Sequence, residues 1–267
     1  MNIGSGGAAR EYGTVLPPER RRQLKPVASD LLVLCYHALS DRWNAALSTT
    51  PAKFTAQLEL LQRRGYRGVT FTESVTGAAS GKAVAVTFDD AFRSVGRLAE
   101  PILTRLGWPA TVFVPTDFAG TERPMSWPGI DHWGREFEPE LMPMSWDELD
   151  ALAVRGWEIG SHTCSHPRLS GLGDDALDDE LRRSKEACED RLGRACESIA
   201  YPYGDHDLRV AAAARRAGYR AGGTLPKRLR ADDPLRWPRV GVYHVDDVRR
   251  FKVKASPLVR RLRALRG

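Results

Sequence analysis

Four short polar motifs carry the residue types that could perform chemistry in this chain, and each follows an apolar run. They are His37 after LLVLCY, Asp89-Asp90 after AVAVTF, His162 and His166 in SHTCSHP after WEIG, and Pro202-Tyr203-Gly204 after SIAY. Taken singly, each has an ordinary structural explanation, because aspartates after a strand often cap a helix and PYG is a turn signal. Their shared placement favours one common site.

The chemistry that these residue types suit is metal-dependent hydrolysis. Two imidazoles and one carboxylate give three protein ligands and leave coordination positions open, as hydrolytic metal centres require. Two adjacent aspartates repel each other, but a divalent cation offsets that repulsion and leaves one carboxylate as a base for water. Gly204 would let the Tyr203 N–H approach a developing oxyanion. Cys164 is expected to be a packing residue rather than a ligand.

Predicted strands and helices alternate along the chain and could position these groups. Strands are predicted at Leu31–Tyr36 and Ala83–Phe88, and a long charged helix is predicted at Asp174–Leu192. Ser145 and Glu148 match a capping box, so a helix begins there. About seven strand–helix units fit the length, which predicts an α/β fold with a parallel sheet, closed or nearly closed into a barrel. An open doubly wound sheet is the alternative, and both place functional groups at the carboxyl ends of strands.

Composition limits the class of protein. The chain has 267 residues, of which 42% are hydrophobic and 28% charged, and this excludes a disordered chain, a fibrous protein and a small disulfide scaffold. No apolar run approaches the roughly 20 residues of a membrane span. The first residues contain no apolar signal sequence, and the four cysteines form no CxxC pair. We therefore expect reduced thiols and a cytoplasmic location, peripheral to the membrane at most.

The net charge of +6 is concentrated at the C-terminus. Residues 249–267 hold eight basic residues and no acid, which leaves 32 basic against 34 acidic residues, or −2, elsewhere. We expect a solvated or disordered basic tail, with a helix over Pro257–Leu265 on an anionic membrane surface as the alternative reading. No nucleic-acid partner is expected. The predicted division is a flexible arm at residues 1–27, a barrel at 28–254 and a tail at 255–267.

The order of the three longer motifs resembles a known family. TFDD, SHTCSHP and YPYG together resemble the polysaccharide deacetylase family, also called the NodB-homology domain or carbohydrate esterase family four. The resemblance covers residues 31–254. It implies a distorted (β/α)7 barrel that removes N-acetyl groups from amino sugars with the help of a metal ion.

Family roles transfer by position. Asp89 matches the general base, and Asp90, His162 and His166 match the metal ligands. Tyr203 matches the residue whose backbone N–H stabilises the tetrahedral intermediate. The resemblance implies one divalent ion, with zinc preferred and cobalt, nickel or manganese as alternatives, and an N-acetylated carbohydrate as substrate.

Two departures point to a permuted subgroup that includes exopolysaccharide deacetylases. Ala200 stands where the family has an arginine that orients the base, and the usual C-terminal catalytic histidine motif is missing around His244. In the subgroup the acid histidine comes first, as in Leu34-Cys35-Tyr36-His37, so His37 is assigned as the general acid.

Three further residues are assigned to the substrate side of the predicted site: Pro202, Trp237 and Arg239. Arg239 is also the candidate to replace the missing arginine. Aromatic residues between 116 and 145 either wall the substrate cleft or pack down on one another. Alternatives to a deacetylase are a hydrolase of small or cyclic amides on the same scaffold and an inactive glycan-binding barrel. The sequence does not reveal the oligomeric state.

Overall fold

The architecture is a parallel sheet curved into a barrel with helices outside it. The computed structural model describes residues 30–79 and 81–265. The strands are β1 (Leu31–Tyr36), β2 (Ala38–Leu39), β3 (Ser48–Thr49), β4 (Arg67–Val69), β5 (Ala83–Phe88), β6 (Thr111–Val114), β7 (Glu158–Ser161), β8 (Ser198–Ala200), β9 (Ala221–Thr224), β10 (Trp237–Pro238) and β11 (Val240–Gly241). The helices are α1 (Pro51–Arg63), α2 (Phe71–Thr76), α3 (Glu100–Leu106, preceded by a π-helical turn at Val95–Ala99), α4 (Trp146–Val154), α5 (Asp174–Leu192), α6 (Leu208–Arg216), α7 (Val248–Lys254) and α8 (Pro257–Leu265).

The main sheet has the strand order β10-β9-β8-β7-β6-β5-β1-β11, and β4 pairs with β5 beside this path. Every strand pair in it is parallel. The two end strands are joined by a single residue, Arg239, so residues 237–241 contact β9 with their first half and β1 with their second. The predicted barrel is thereby confirmed, and the open sheet is excluded.

Alternate side chains of the strands point to opposite faces of the sheet and pack into two separate apolar clusters. Leu32, Leu34 and Tyr36 of β1 pack with the surrounding helices, while Val33 belongs to a smaller cluster that includes Phe113 and Ala200. The Arg239 guanidinium lies 5.3 Å from the centre of the Phe113 ring on this second side. The small side chains of this cluster, such as Val33 and Ala200, therefore leave room inside the barrel for the Arg239 side chain.

Local sequence explains where the helices begin. Thr50 caps α1 by accepting from the Lys53 N–H, and Pro51 occupies the first turn. Ser145 and Glu148 form the predicted capping box of α4. Each cap of this kind stabilises a helix by about 1 kcal/mol.

The prediction for the C-terminus was wrong in its preferred form. Residues 255–265 are not a solvated tail, because α8 packs on the barrel through Arg260 and Arg263, whose guanidinium groups bond to backbone carbonyls. The alternative prediction placed a helix over Pro257–Leu265, and α8 has these bounds. The predicted arm at residues 1–27 lies outside the described residues. No helix in the described ranges is both long enough and apolar enough to cross a bilayer.

Candidate metal and catalytic site

Polar residues from four strands meet at the carboxyl ends of β1, β5, β7 and β8. Asp90 Oδ1 lies 3.3 Å from Nε2 of His162 and 3.3 Å from Nε2 of His166. One ligand atom from each of the three residues lies within 4.8 Å of the other two. All three side chains are buried. The structure therefore assembles the three residues that the sequence proposed as ligands.

The hydrogen bonds around this cluster suit a bound cation. His162 Nδ1 lies 2.7 Å from the Ala200 carbonyl, to which it can only donate, so a neutral ring presents the lone pair of Nε2 to Asp90. Asp90 Oδ1 is buried and has no hydrogen-bond partner among the described residues. A carboxylate oxygen facing two ring nitrogens needs a positive charge between them. The donor set of two imidazoles and one carboxylate fits a divalent ion such as zinc.

The pKa values at the cluster also favour a positive charge beside Asp90. Burial raises the pKa of Asp90, but the close approach of the His162 and His166 rings outweighs it and holds that pKa far below its usual range. Burial also opposes the charged form of His162, yet Asp90 and Asp89 raise its pKa. The pocket thus stabilises positive charge beside Asp90.

The backbone at the site is strained in a consistent way. Five non-glycine residues in the described chain have positive φ, and all lie in the site motifs or directly beside them: Asp90, Ala91, Thr163, His166 and Tyr203. Such conformations cost on the order of 1–3 kcal/mol each and persist only where the surroundings hold them. Here they aim ligand side chains that a regular strand or helix would direct elsewhere.

Glu180 of α5 holds the loop between the two histidines. Its carboxylate accepts from the backbone N–H groups of Cys164 and Ser165, at 2.7 and 3.1 Å, and from the Ser165 hydroxyl. The sequence analysis missed this role because Glu180 lies in a run of charges on an exposed helix. Cys164 is buried with its thiol 3.6 Å from a backbone carbonyl, in keeping with a packing role.

Asp89 lies beside the cluster in a separate network. Arg239 binds it in a bidentate pair, Nη1 to Oδ1 at 2.6 Å and Nη2 to Oδ2 at 2.8 Å, and Arg239 also donates to Thr87 Oγ1 at 3.0 Å. The Cys35 thiol donates to Asp89 Oδ2 at 3.3 Å. Burial raises the pKa of Asp89, but Arg239 and His162 outweigh it and lower the pKa to about 2.

His37 lies on the same side as Asp89. One of its ring nitrogens, the Cys35 sulfur and an Asp89 oxygen all lie within 4.8 Å of one another. Its Nδ1 is buried without a partner in the described chain. Burial lowers the pKa of His37 more than the neighbouring aspartates raise it. The ring is therefore mostly neutral and has an open hydrogen-bonding position.

The aromatic loop reaches the cluster from the other side. Trp127 stacks on the His166 ring with centroids 4.2 Å apart, and Phe118 packs edge-on against Trp127. Tyr203 packs edge-on against His166 at 4.7 Å and donates through its hydroxyl to Pro128 O. The aromatic residues thus pack on one another and also on a ligand histidine.

Two of the three residues assigned to the substrate side lie near the cluster. Pro202 is buried directly before Tyr203, and Arg239 contacts Asp89. Trp237 lies level with the start of β1, in a cavity lined by Leu31 and Leu32. Its backbone pairs with Gly223 of β9, and its assignment to the substrate side stays a prediction.

Comparison with known proteins gives a consistent picture. The model of the family "Polysaccharide deacetylase" matches residues 76–222. The Bacillus subtilis protein YxkH, named for the same family, is 28% identical over 73% of this chain, and the poly-beta-1,6-N-acetyl-D-glucosamine N-deacetylase of Staphylococcus aureus is 25% identical over 68%. The aligned regions cover 64% and 62% of those two proteins. The solved structure of IcaB from Ammonifex degensii superposes with a TM-score of 0.64 at 26% identity, covering 85% of this chain and 97% of that one.

Proposed function

Because this chain belongs to the polysaccharide deacetylase family, we propose that it hydrolyses the N-acetyl groups of amino sugars with a bound divalent metal ion. The observation that carries the proposal is the buried group of Asp90, His162 and His166, whose ligand atoms converge around an Asp90 oxygen without a hydrogen-bond partner in the described chain. Zinc suits these donors best, and cobalt, nickel and manganese are alternatives.

The three ligands leave coordination positions open for water and substrate. When bound, the ion supplies Lewis acidity toward the acetyl carbonyl and toward water. The chain fixes His162 through the Ala200 carbonyl and His166 through the face of Trp127. Such supporting contacts orient ligands before the ion arrives.

Asp89 is proposed as the base that removes a proton from the attacking water. Its low pKa keeps it ionised at neutral pH, and the bidentate contact with Arg239 fixes the plane of its carboxylate. Arg239 thereby does what the arginine missing at Ala200 would do, although it comes from the strand that closes the barrel. It acts through Asp89 and is a positioning residue.

His37 and Tyr203 are proposed to serve the leaving amine and the oxyanion. An amide nitrogen leaves poorly without a proton, and His37 would deliver one in its imidazolium form and return to the neutral ring that its buried surroundings favour. One of its ring nitrogens lies close to Asp89. The positive φ of Tyr203 turns its peptide out of the helical path, which suits its N–H to a developing negative charge.

The proposed substrate is an oligomer or polymer that contains N-acetylglucosamine, or a precursor of one. Support comes from the staphylococcal relative, whose name gives poly-beta-1,6-N-acetyl-D-glucosamine as its substrate. The four buried cysteines are free thiols, which is consistent with a reducing compartment, and we propose a cytoplasmic location on that ground.

Acetate release from a panel of N-acetylated compounds tests the proposal. The panel contains β-1,6- and β-1,4-linked N-acetylglucosamine oligomers together with small linear and cyclic amides. The native chain should release acetate from the sugars, and Asp90→Asn should not. A matched control is His132→Ala, because the His132 side chain is 61% exposed in a short 3-10 helix. Turnover of cyclic amides alone, or sugar binding without release by the metal-loaded protein, would contradict the proposal.

A further inference from the structure

The last helix, α8, packs with its charged side inward and its leucine side outward. Four positions form the side that contacts the barrel: Val259, Arg260, Arg263 and Ala264, all half-buried. The other four positions after Pro257 are exposed: Leu258, Arg261, Leu262 and Leu265. At 100° per residue the exposed set spans a single face. An amphipathic helix on a soluble barrel would place these leucines inward.

The inward orientation is fixed by arginine contacts. Arg260 donates to the Leu31 carbonyl at the start of β1 and to the Tyr66 hydroxyl at 3.2 Å. Arg263 donates to the carbonyls of Pro226 and Lys227, at 3.3 and 3.0 Å. These contacts involve backbone carbonyls of two separate segments, so rotation of the helix to bury its leucines would leave several groups without partners.

The outward leucines form an apolar stripe beside a further exposed residue. Leu258, Leu262 and Leu265 are 67%, 47% and 79% exposed, and Val253 of α7 is 58% exposed. Half of the large hydrophobic residues that are exposed in the described chain lie in this short stretch. Such clustering marks a surface that contacts something other than water.

The charges around the stripe are positive. Exposed Lys252 and Arg261 come from α7 and α8, and residues 248–265 contain no acid. Lys227 and Arg228 are exposed in the loop that α8 contacts through Arg263. Nearby acids are few: Asp232 is paired with Arg230 and Arg236. Asp30 lines a cavity that also contains Arg64, Lys82 and Lys252.

We propose that this leucine stripe, Leu258, Leu262 and Leu265 with Val253, inserts into an anionic lipid surface while the surrounding arginines and lysines contact the lipid headgroups. Charge complementarity selects this occupant. A second copy of the same face would bring like charges together, and residues 1–29 of this chain carry five basic residues against two acidic ones. Apolar insertion combined with several cations is the combination that holds a helix at an anionic interface.

The geometry also gives an orientation. The α8 contacts are at the first residue of β1, and the metal-ligand cluster follows the carboxyl ends of the strands. The six residues of β1 span about 20 Å at 3.3 Å per residue. The candidate catalytic site would therefore face away from the lipid and stay open to soluble substrate.

Co-sedimentation of the full chain with vesicles tests the proposal. Vesicles of phosphatidylcholine are compared with vesicles of phosphatidylcholine and phosphatidylglycerol, at low and high salt. The native chain should bind only the anionic vesicles, and high salt should weaken binding. Leu258→Ser with Leu262→Ser should lower the partition coefficient about tenfold or more, because the helix loses two leucine side chains that would insert into the lipid. Leu208→Ser is the matched control, since Leu208 is 71% exposed on α6.

The variants separate the alternatives. All replaced side chains are exposed, so thermal melting should change little, and acetate release from soluble oligomers should stay at the native rate. Arg261→Gln with Lys252→Gln should reduce binding to anionic vesicles. Native protein that fails to bind anionic vesicles would overturn the proposal, as would equal binding by the double serine variant. A concentration-dependent native dimer that becomes monomeric in the serine variant would assign the stripe to a second copy instead.

Discussion

The buried pair between Arg239 and Asp89 gives the sharpest quantitative prediction. Arg239→Met keeps most of the side-chain length but removes both charged hydrogen bonds, at 2.6 and 2.8 Å. Asp89 is 2% exposed, so water cannot replace them. Removing one partner of a buried ion pair costs about 3–5 kcal/mol, because the other charge is left uncompensated. We expect Arg239→Met and Asp89→Asn each to lower the free energy of unfolding by about that amount.

The double variant distinguishes the pair from simple packing. If the cost comes from an uncompensated charge, Asp89→Asn with Arg239→Met should be less destabilised than the sum of the single variants by about 2–3 kcal/mol. Urea unfolding of metal-depleted protein, followed by tryptophan fluorescence, measures all four states of the cycle. The control is Arg182→Met, because Arg182 contacts Glu186 at 2.8 Å but both side chains are more than half exposed. Loss of this exposed pair should leave the free energy of unfolding nearly unchanged.

Activity and metal content add a readout that a merely structural role would not change. Arg239→Met should lower kcat by about 10²-fold or more through misorientation of the base, while the protein still binds one metal ion through its three ligands. Additivity of the two single variants within about 0.5 kcal/mol would refute the ion-pair reasoning. Native kcat in folded Arg239→Met would refute the positioning role.

Three further substitutions test separate parts of the account. His37→Ala should lower acetate release by about 10²–10⁴-fold without changing the metal content, whereas His132→Ala should leave the rate unchanged. Glu180→Gln should weaken metal affinity about 10–100-fold in a metal titration, because the amide offers one acceptor oxygen where the carboxylate uses two to hold the ligand loop. Gly223→Ala should lower the free energy of unfolding by about 1–3 kcal/mol, since a Cβ there would lie 2.7 Å from a buried guanidinium nitrogen, whereas Gly171→Ala meets no atom within 4 Å and should be nearly neutral.

Strongly patterned elements were predictable from the sequence. The apolar runs of β1 and β5 and the charged period of α5 were predicted with the bounds that the structure gives them. These segments are predictable because hydrophobic periodicity and caps agree with the fold. The placement of polar residues after parallel strands then brought Asp90 and the two histidines together. Their roles in catalysis stay predictions.

Elements that depend on distant partners were not predictable. β9 reads Ala-Gly-Gly-Thr, a poor strand sequence, and it forms because Gly222 and Gly223 make room for the Tyr201 hydroxyl and the Arg239 side chain. Strands β10 and β11 have two residues each, which is too short to show an alternating hydrophobic pattern. Arg239 was a candidate because the family arginine is missing at Ala200, and only the fold shows that its guanidinium reaches Asp89.

The C-terminal segment shows a limit of charge counting. Residues 249–267 look solvated because no acid balances their basic side chains. In the structure Arg260 and Arg263 are satisfied by neutral backbone carbonyls, which a count of acids does not include.

A metal titration of acetate release tests the central claim most directly. The chain is depleted with a chelator, its metal content is measured, and zinc is added back stepwise while acetate is assayed with an N-acetylglucosamine oligomer. Activity should vanish on depletion and return in full at one ion per chain, and Asp90→Asn should neither retain the ion nor recover activity. Full acetate release by metal-free protein, or undiminished metal binding by Asp90→Asn, would contradict the account.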